Sequence, residues 1–433
     1  MKRLNFKGIL LFAILIGIVI GALLILVFPK KEKTPPKEKK QEISYLEKVE
    51  TKLKDQVDSS FLEWINEEYP ESLKKINELL EKEEYNPTMW HEVTGYSYLV
   101  LKDLKDDKYD SISNIKILEK DSTTISIVGD IDLADNWYIA PKYDERGGIN
   151  GILSEEILDI MKTSDFMIAN SEFTISNRGT PLPGKLYTFR AKPERVDIYH
   201  EMGIDLVTLA NNHVYDYGRD AFFDMLSVLA EKKVPAIGAG KNIEEAKKPY
   251  YLILGGYKFV FVNATRAEKY KLTPGATAES EGVFRCYDPT ELLEEIKELR
   301  PDNDYVVAIL HYGTEDTHKL EDVQIELSHQ LIDNGADIIV GHHAHTLQGI
   351  EVYNHKPIIY NLGNYLFNNQ TDDTAIFQIK LMNNKMYYQI IPAIQKNCMT
   401  SLLKDSEKQR VINNINSWSI HARLNEEGYL GEG

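Results

Sequence analysis

Cysteine is nearly absent from this chain. Two in 433 residues, Cys286 and Cys398, cannot frame a disulfide scaffold, and their spacing fits no zinc-binding pattern; one isolated bridge or two buried thiols are the readings left. Positive charge is short as well. The 50 Lys and Arg stand against 67 Asp and Glu, a formal net charge of −17. A phosphate backbone needs a basic face, so no nucleic acid is expected as a partner. Long apolar runs are missing too, with one exception. Gly8 to Phe28 carries no charge, and a helix of that length spans the roughly 30 Å hydrocarbon core of a bilayer. A cleaved signal peptide would have a shorter apolar region, about 7–15 residues, ending in small residues. This run ends Leu26-Val27-Phe28-Pro29. The expectation is an uncleaved anchor over residues 1–28, a single pass in the cell membrane. Lysines flank both sides and blunt the positive-inside bias. A lone N-terminal span before a large soluble domain still favours an extracellular main domain.

What is present divides the chain further. Residues 29–42 form a Lys/Pro-rich linker, too polar to pack. Residues 43–120 read as a helical accessory region: Leu46, Val49, Leu53 and Val57 recur at helix spacing, and Leu73, Ile76, Leu79 and Leu80 resume the pattern after Pro70. The main domain is expected over 121–395, where strand and helix patterns alternate. Helices are expected over Leu153–Met161, Pro193–Met202, Asp220–Lys232, Pro289–Leu299 and Val323–Asn334. Gly255-Gly256 and Asn383-Asn384 suggest hairpins. The tail, 396–433, is polar and is expected to be weakly ordered. With 43% hydrophobic residues, the chain can bury a substantial core.

Five short apolar runs each stop on polar residues able to bind a metal. Ile125–Val128 runs into Gly129-Asp130-Ile131-Asp132, Phe166–Ala169 into Asn170-Ser171-Glu172, and Leu206–Ala210 into Asn211-Asn212-His213. Val306–Leu310 runs into His311, and Ile338–Val340 into Gly341-His342-His343-Ala344-His345. Such runs read as buried strands of an α/β sheet. Ligands collect at the carboxyl ends of strands in these sheets. Burying so many polar groups without partners is unfavourable, and a metal centre accounts for them. Carboxylate, imidazole and amide oxygen together suit Mn, Fe or Zn. Two divalent ions about 3.5–4 Å apart would need a bridging carboxylate, from Asp130 or Glu172, and would activate water and neutralise a phosphoryl oxygen.

Other residues keep two readings. Asp216, three residues after His213, either orients that imidazole or caps the helix that follows. Arg190 and Lys192, with Lys185, lie in a loop; Arg190 offers a bidentate fork to an anionic substrate, and the alternative is a solvated cluster. Glu315 is either a partner to a ligand or a loop charge. His200, His318, His329 and His355 read as ordinary packing or surface residues.

These motifs, in this order and together with Asn361-Leu362-Gly363-Asn364-Tyr365, resemble the CapA/PgsA family of capsule (poly-γ-glutamate) synthesis proteins. That family is similar to the calcineurin-like metallophosphoesterases. The resemblance covers about Ser122 to Gln395. It implies a membrane-anchored protein whose main domain is a four-layer α/β/β/α sandwich, here standing behind the N-terminal transmembrane helix and the small helical region read above. It also implies metal roles: Asp130 for the first metal, Glu172 as bridge, Asn212 and His311 for the second metal, and His342 and His345 as the pair in the last motif. His213 would stand beside the substrate as acid, with Asp216. Asp132 stands where the phosphoesterases usually have His, and would either add a carboxylate ligand or alter the first site. The implied function is synthesis or export of an anionic capsule polymer by a membrane-anchored protein, with membrane polymer-synthase subunits as partners and an anionic polymer or phosphoester as substrate. Two versions stand: a metal-dependent hydrolase, or a non-catalytic accessory subunit of a synthase complex.

Overall fold

Side-chain alternation along the strands decides the architecture. In Tyr257–Thr265, Phe259 and Phe261 enter one core while Val260 and Val262 enter another. Phe166–Ser171 does the same: Phe166 and Ile168 face one way, Met167 and Ala169 the other. A strand with apolar residues on both faces must be covered on both. The computed structural model describes residues 38–111, 115–118, 122–268, 272–382 and 385–432. The expected anchor over 1–28 and residues 29–37 of the linker lie outside these residues, while 38–42, expected to be linker, begin the helix Glu38–Leu53. Among the described residues no helix is long and apolar enough to cross a membrane.

The chain divides into two units, residues 1–113 and 114–433. In the first, short helices bury Val49, Leu53, Phe61, Leu62, Ile65, Leu73, Ile76, Trp90 and Leu101 against one another. Asp58 accepts from the Ser60 backbone N–H at the start of Ser59–Glu68, Pro70 opens Pro70–Leu79, and Ser97 caps Tyr98–Lys105.

The second unit is mixed α/β and holds a seven-stranded and an eight-stranded sheet. The seven-stranded sheet runs Ile115–Leu118, Tyr250–Leu254, Tyr257–Thr265, Tyr305–His311, Ile338–His342, Lys356–Ile359, Ile350–Tyr353. At the centre of the other lies Ser122–Ile131. It pairs antiparallel with Thr371–Met382 and parallel with Phe166–Ser171, which pairs parallel with Leu206–Thr208. The inner faces share one core, in which Ile125, Ile127 and Ile168 meet Phe259, Val307 and Ile309. Helices Glu155–Thr163, Asp197–Met202 and Arg219–Glu231 cover the outer face of the eight-stranded sheet. Thr290–Leu299 and Asp322–Asp333 cover that of the seven-stranded sheet. Four layers result. Gly255 and Gly256, at φ 55° and 77°, make the tight hairpin expected of them.

Two expectations are corrected. Residues 115–118 do not belong with the helical region, because they pair parallel with Tyr250–Leu254 and extend the sheet. Residues 396–433 are not weakly ordered. Met399–Leu402 adds a strand, and Asp405–Trp418 is a helix whose Val411, Ile412 and Ile415 are buried in the inter-sheet core. Its polar majority hides that narrow apolar stripe from a composition reading. Ile412→Ala should therefore lower stability by about 2–5 kcal/mol, the range for a fully buried aliphatic side chain. Ser406→Ala, exposed on the same helix, should stay within about 0.5 kcal/mol. Urea unfolding of the two variants decides whether this helix belongs to the core.

Candidate metal centre

Both sheets deliver the ends of their parallel strands to one place. Asp130 pairs with Asn170 in one sheet, and His311 with His342 in the other. The backbone crosses closely here. The Asp130 N–H donates to the Gly363 carbonyl at 3.0 Å, and a Cβ on Gly129 would lie 1.9 Å from that same oxygen; only glycine fits. Between the sheets, His342 Nε2 donates to the Val128 carbonyl at 2.9 Å and the His343 backbone N–H to Asp130 Oδ2 at 3.2 Å.

The donor atoms converge. One group comprises Asp130, Glu172 and His311, another Glu172, His343 and His345, with the atoms of each group within 4.8 Å of one another. His311 Nε2 lies 2.8 Å from Asn212 Oδ1 and 3.3 Å from Glu172 Oε1. His345 Nδ1 lies 3.4 Å from Asp130 Oδ2, and its Nε2 3.9 Å from Glu172 Oε1. Neighbouring ligand atoms keep separations of about 3 Å around an ion whose bonds are about 2.0–2.2 Å. Glu172 belongs to both groups, as a bridge must. Asn170 ties the cluster together: its amide N–H₂ reaches Asp130 Oδ1 at 2.8 Å and Glu172 Oε2 at 3.2 Å, while its oxygen accepts from Asn211 and Thr208.

The electrostatics ask for a cation. Asp130 and Glu172 are completely buried, and among the described residues nothing donates a hydrogen bond to Glu172 Oε1. Burial, then the charge of Asp130, pushes the Glu172 carboxyl well above its usual range. Burial works the same way on Asp130, but hydrogen bonds from His345 and Asn170, with the charges of His342 and His345, hold it below. Burial and the other imidazoles keep His311 neutral, far below its usual value. Burial, with the neighbouring His345, pushes His343 down to about 3, and its Nδ1 is buried with no partner among the described residues. Burial works downward on His345 as well, but the hydrogen bond to Asp130 and its charge outweigh it and raise that ring above its usual value. The neutral rings of His311 and His343, with an orphaned carboxylate oxygen around a shared point, are a ligand set for divalent metal.

Beside the cluster, His213 Nδ1 donates to Asp216 Oδ2 at 2.8 Å, leaving Nε2 to act. The other oxygen of Asp216 faces Lys185 Nζ at 2.8 Å. Lys185 also donates to the Asn212 carbonyl and lies 3.3 Å from Glu268; its side chain is only 3% exposed.

A family model described as "Bacterial capsule synthesis protein PGA_cap" matches residues 124–369. The chain belongs to this family. It is 31% identical over 305 residues to the PGA biosynthesis protein CapA of Bacillus subtilis, an overlap covering 69% of this chain and 78% of that one. To the capsule biosynthesis protein CapA of Bacillus anthracis it is 30% identical over 285 residues, covering 64% and 68%. A solved structure described as a novel phosphatase, from Mycoplasma pneumoniae, overlaps 65% of this chain and 96% of its own length, with 12% identity and a TM-score of 0.42.

Within this PGA_cap chain several expected residues stand elsewhere. Asp132 is in neither donor group. Its Oδ1 accepts from the Ala134 N–H at 2.7 Å and closes the turn after the strand, and burial raises its carboxyl well above the usual range. His342 is also outside the two groups, and with Nε2 donating to Val128 only its Nδ1 keeps a lone pair. Its neighbour His343, given no role by the sequence, supplies the donor instead. A φ of +92°, unusual for any residue but glycine, turns it inward. Arg190 does not offer its fork to a substrate: it donates to the carbonyls of Arg178 and Gly179 and stacks over Tyr217. Lys192 lies 3.8 Å from Asp135, with its side chain mostly exposed. Of the loop's three cations it is Lys185, named in the sequence only alongside Arg190 and Lys192 and given no role of its own, that reaches the centre. Asn364, 2.9 Å from His345 Nδ1, orients that ring. Asp216 takes the first of its two readings, as the partner of His213; helix Arg219–Glu231 has Gly218 at its cap.

Two outcomes follow. Asp130→Asn should abolish binding of added Mn, measured by elemental analysis after dialysis, with the thermal midpoint of the metal-free protein within a few degrees of the parent. The second concerns pH. His343 has a folded-state value of about 3 against about 6.5 unfolded, so below pH 6.5 the unfolded chain binds a proton that the fold refuses. Its contribution is fully present above about 6.5 and is lost as pH falls toward 3. In chelator, the parent's stability relative to His343→Asn should drop between pH 7.5 and pH 5. Asn tolerates the positive φ, which keeps the comparison fair.

Proposed function

We propose that this chain is a membrane-anchored, outward-facing protein of capsule-polymer assembly whose second unit is a calcineurin-like metal-dependent phosphoesterase. The observation that carries it is the adjacency of two features: buried donors around Glu172, and an imidazole–carboxylate pair at His213 and Asp216. The first would hold two divalent ions, of Mn, Fe or Zn type, through Asp130, Glu172, Asn212, His311, His343 and His345, with His342 Nδ1 close by. When bound, such a pair supplies Lewis acidity at a phosphoryl oxygen and lowers the pKa of water. The protein's own groups do the rest. His213, protonated, hands the Nε2 proton to the leaving oxygen as the P–O bond breaks; water's oxygen bonds to phosphorus, and the proton it loses goes to solvent. Asp216 holds the ring in the tautomer and orientation this requires, and stabilises its charged form. Lys185 keeps Asp216 from swinging away.

Anchoring rests on the uncharged run Gly8–Phe28, and the polymer role on the family and the relatives' names. A synthase in the same membrane is the partner this implies, and an anionic polymer such as poly-γ-glutamate its product. A second reading is favoured by Asp132. Its Oδ1 is taken by the turn and only Oδ2 is left without a partner among the described residues, where the phosphoesterases usually have His; with a first site so altered, the unit would bind metal and partner without turnover.

The two readings separate in one assay. With Mn added, the full chain in detergent should hydrolyse bis(p-nitrophenyl) phosphate, and His213→Ala should lose about 10²- to 10⁴-fold in kcat, the worth of a positioned proton donor, while keeping its Mn. Metal bound by both, with no turnover by either, selects the non-catalytic reading. Membrane fractionation of the full chain against one lacking residues 1–28 tests the anchor.

A further inference from the structure

A cleft of about 500 Å³ opens over this centre, and His213 and His345 both line it. Whatever is attached to a phosphoryl group held at the centre must sit there. Part of the lining is aromatic and continuous. Trp137 lies 4.7 Å from Tyr138, 5.9 Å from Tyr187 and 4.9 Å from Phe189, ring centre to ring centre. Phe189 then lies 4.5 Å from His213 and 5.6 Å from Phe367, and Phe367 lies 4.6 Å from His345. Tyr138 and Tyr187 are 39% and 54% exposed, so the aromatic run starts in solvent and ends on the reactive imidazoles.

The remaining lining is acceptor-rich. Glu315, Asp316 and Asp372 bring carboxylates, and Asn369 and Gln370 bring exposed amides. Among the described residues no Lys or Arg lines the cleft; the nearby Lys185 is committed to Asp216 and Glu268. A γ-glutamyl chain, with a carboxylate on every residue, would meet like charge along these walls, where among the described residues only His213 and the metal centre at the floor could offset one anionic group. Carboxylates only accept hydrogen bonds, whereas amides do both. A ligand suited to these walls is uncharged, flat on one apolar face, and rich in O–H donors. Aromatic faces take the first property and the carboxylates the last. Purine bases stack as well, but carry few donors for three carboxylates.

We infer that the cleft is a saccharide subsite, so that the substrate class is a sugar phosphate or sugar phosphodiester rather than the anionic polymer. This rests on the phosphoesterase reading for its chemistry but not for its binding. The test therefore has two readouts on the Mn-loaded full chain. Phosphate release from hexose 1-phosphates should exceed that from nucleoside 5′-monophosphates at least tenfold in kcat/KM, and Tyr187→Ala and Trp137→Ala should each raise the hexose phosphate KM at least fivefold while kcat falls less than threefold. Independently, a neutral methyl hexoside should quench tryptophan fluorescence saturably in the parent and not in Trp137→Phe, and oligo-γ-glutamate should not compete. Quenching without any turnover supports the subsite and removes the hydrolase. Preference for nucleotides, competition by oligo-γ-glutamate, or no saturable hexoside signal overturns the inference. Tyr187 is a surface residue, so its variant reports even where the Trp137 variants fail to fold.

Discussion

Two carboxylates, Asp130 and Glu172, are buried where no described arginine or lysine pairs with them, and the second unit is arranged around that fact. A buried carboxylate without a counter-charge shifts toward its neutral form or finds a cation. Asp130 has its partial answer in His345 and Asn170. Glu172 has none for Oε1 among the described residues, and the imidazoles facing it at His311 and His343 are themselves driven neutral by burial. Neutral rings give lone pairs, not protons. The cluster is therefore electrically incomplete as protein alone, and the missing charge is the one a divalent metal brings.

Holding such a cluster together takes rigid backbone. The donors sit on or just past strand ends in two different sheets, so their spacing is fixed by sheet packing rather than by loop preference. The contacts that seal the seam use main-chain groups: Asp130 N–H to Gly363, His343 N–H to Asp130, His342 to the Val128 carbonyl. His343 and His345 both have positive φ, 92° and 56°, a conformation of higher energy than the strand they leave. The conformation is held by main-chain and side-chain hydrogen bonds, His343 N–H to Asp130 and His345 Nδ1 to Asn364. It aims two rings at Glu172 from the short segment His342–His345.

Much of this is legible in the sequence, and what is not has a common cause. Apolar runs ending on Asp130, Asn170, Asn212, His311 and His342 announce both the strands and the edge on which they meet, because a buried strand is a contiguous signal. What the sequence does not show is which way a side chain turns once the strand is over. His342 and His343 are adjacent and chemically identical, and φ at His343 alone makes it a donor. Asp132 follows Asp130 at strand spacing, which would put both carboxylates on one face; the chain leaves the strand after Ile131, and the turn there commits one Asp132 oxygen, Oδ1, to the Ala134 N–H, leaving Oδ2 without a partner among the described residues. Arg190 and Lys185 share a loop, yet the loop buries Lys185 and leaves Arg190 stacked on Tyr217. The helix Asp405–Trp418 escapes a sequence reading for a related reason, since a few buried residues in a polar segment carry little periodic weight.

The charge around the centre bears on how a capsule-family protein could use it. The family's product is a polyanion by name, and a protein built to cut or grip that product would need a basic groove. The cleft above His213 and His345 offers carboxylates and aromatic rings instead, and the chain's net charge of −17 adds long-range repulsion that salt only partly screens. If the cleft is the saccharide subsite proposed above, the same surface that takes a neutral ring would disfavour the growing polymer. On that view the metal centre acts beside polymer assembly, on a phosphorylated envelope component, and the contact with the assembly machinery lies elsewhere on the chain. A centre so walled would have a physical advantage in polymer assembly: an abundant polyanion, itself a chelator of divalent metal, would be hindered from stripping any ions held at Glu172.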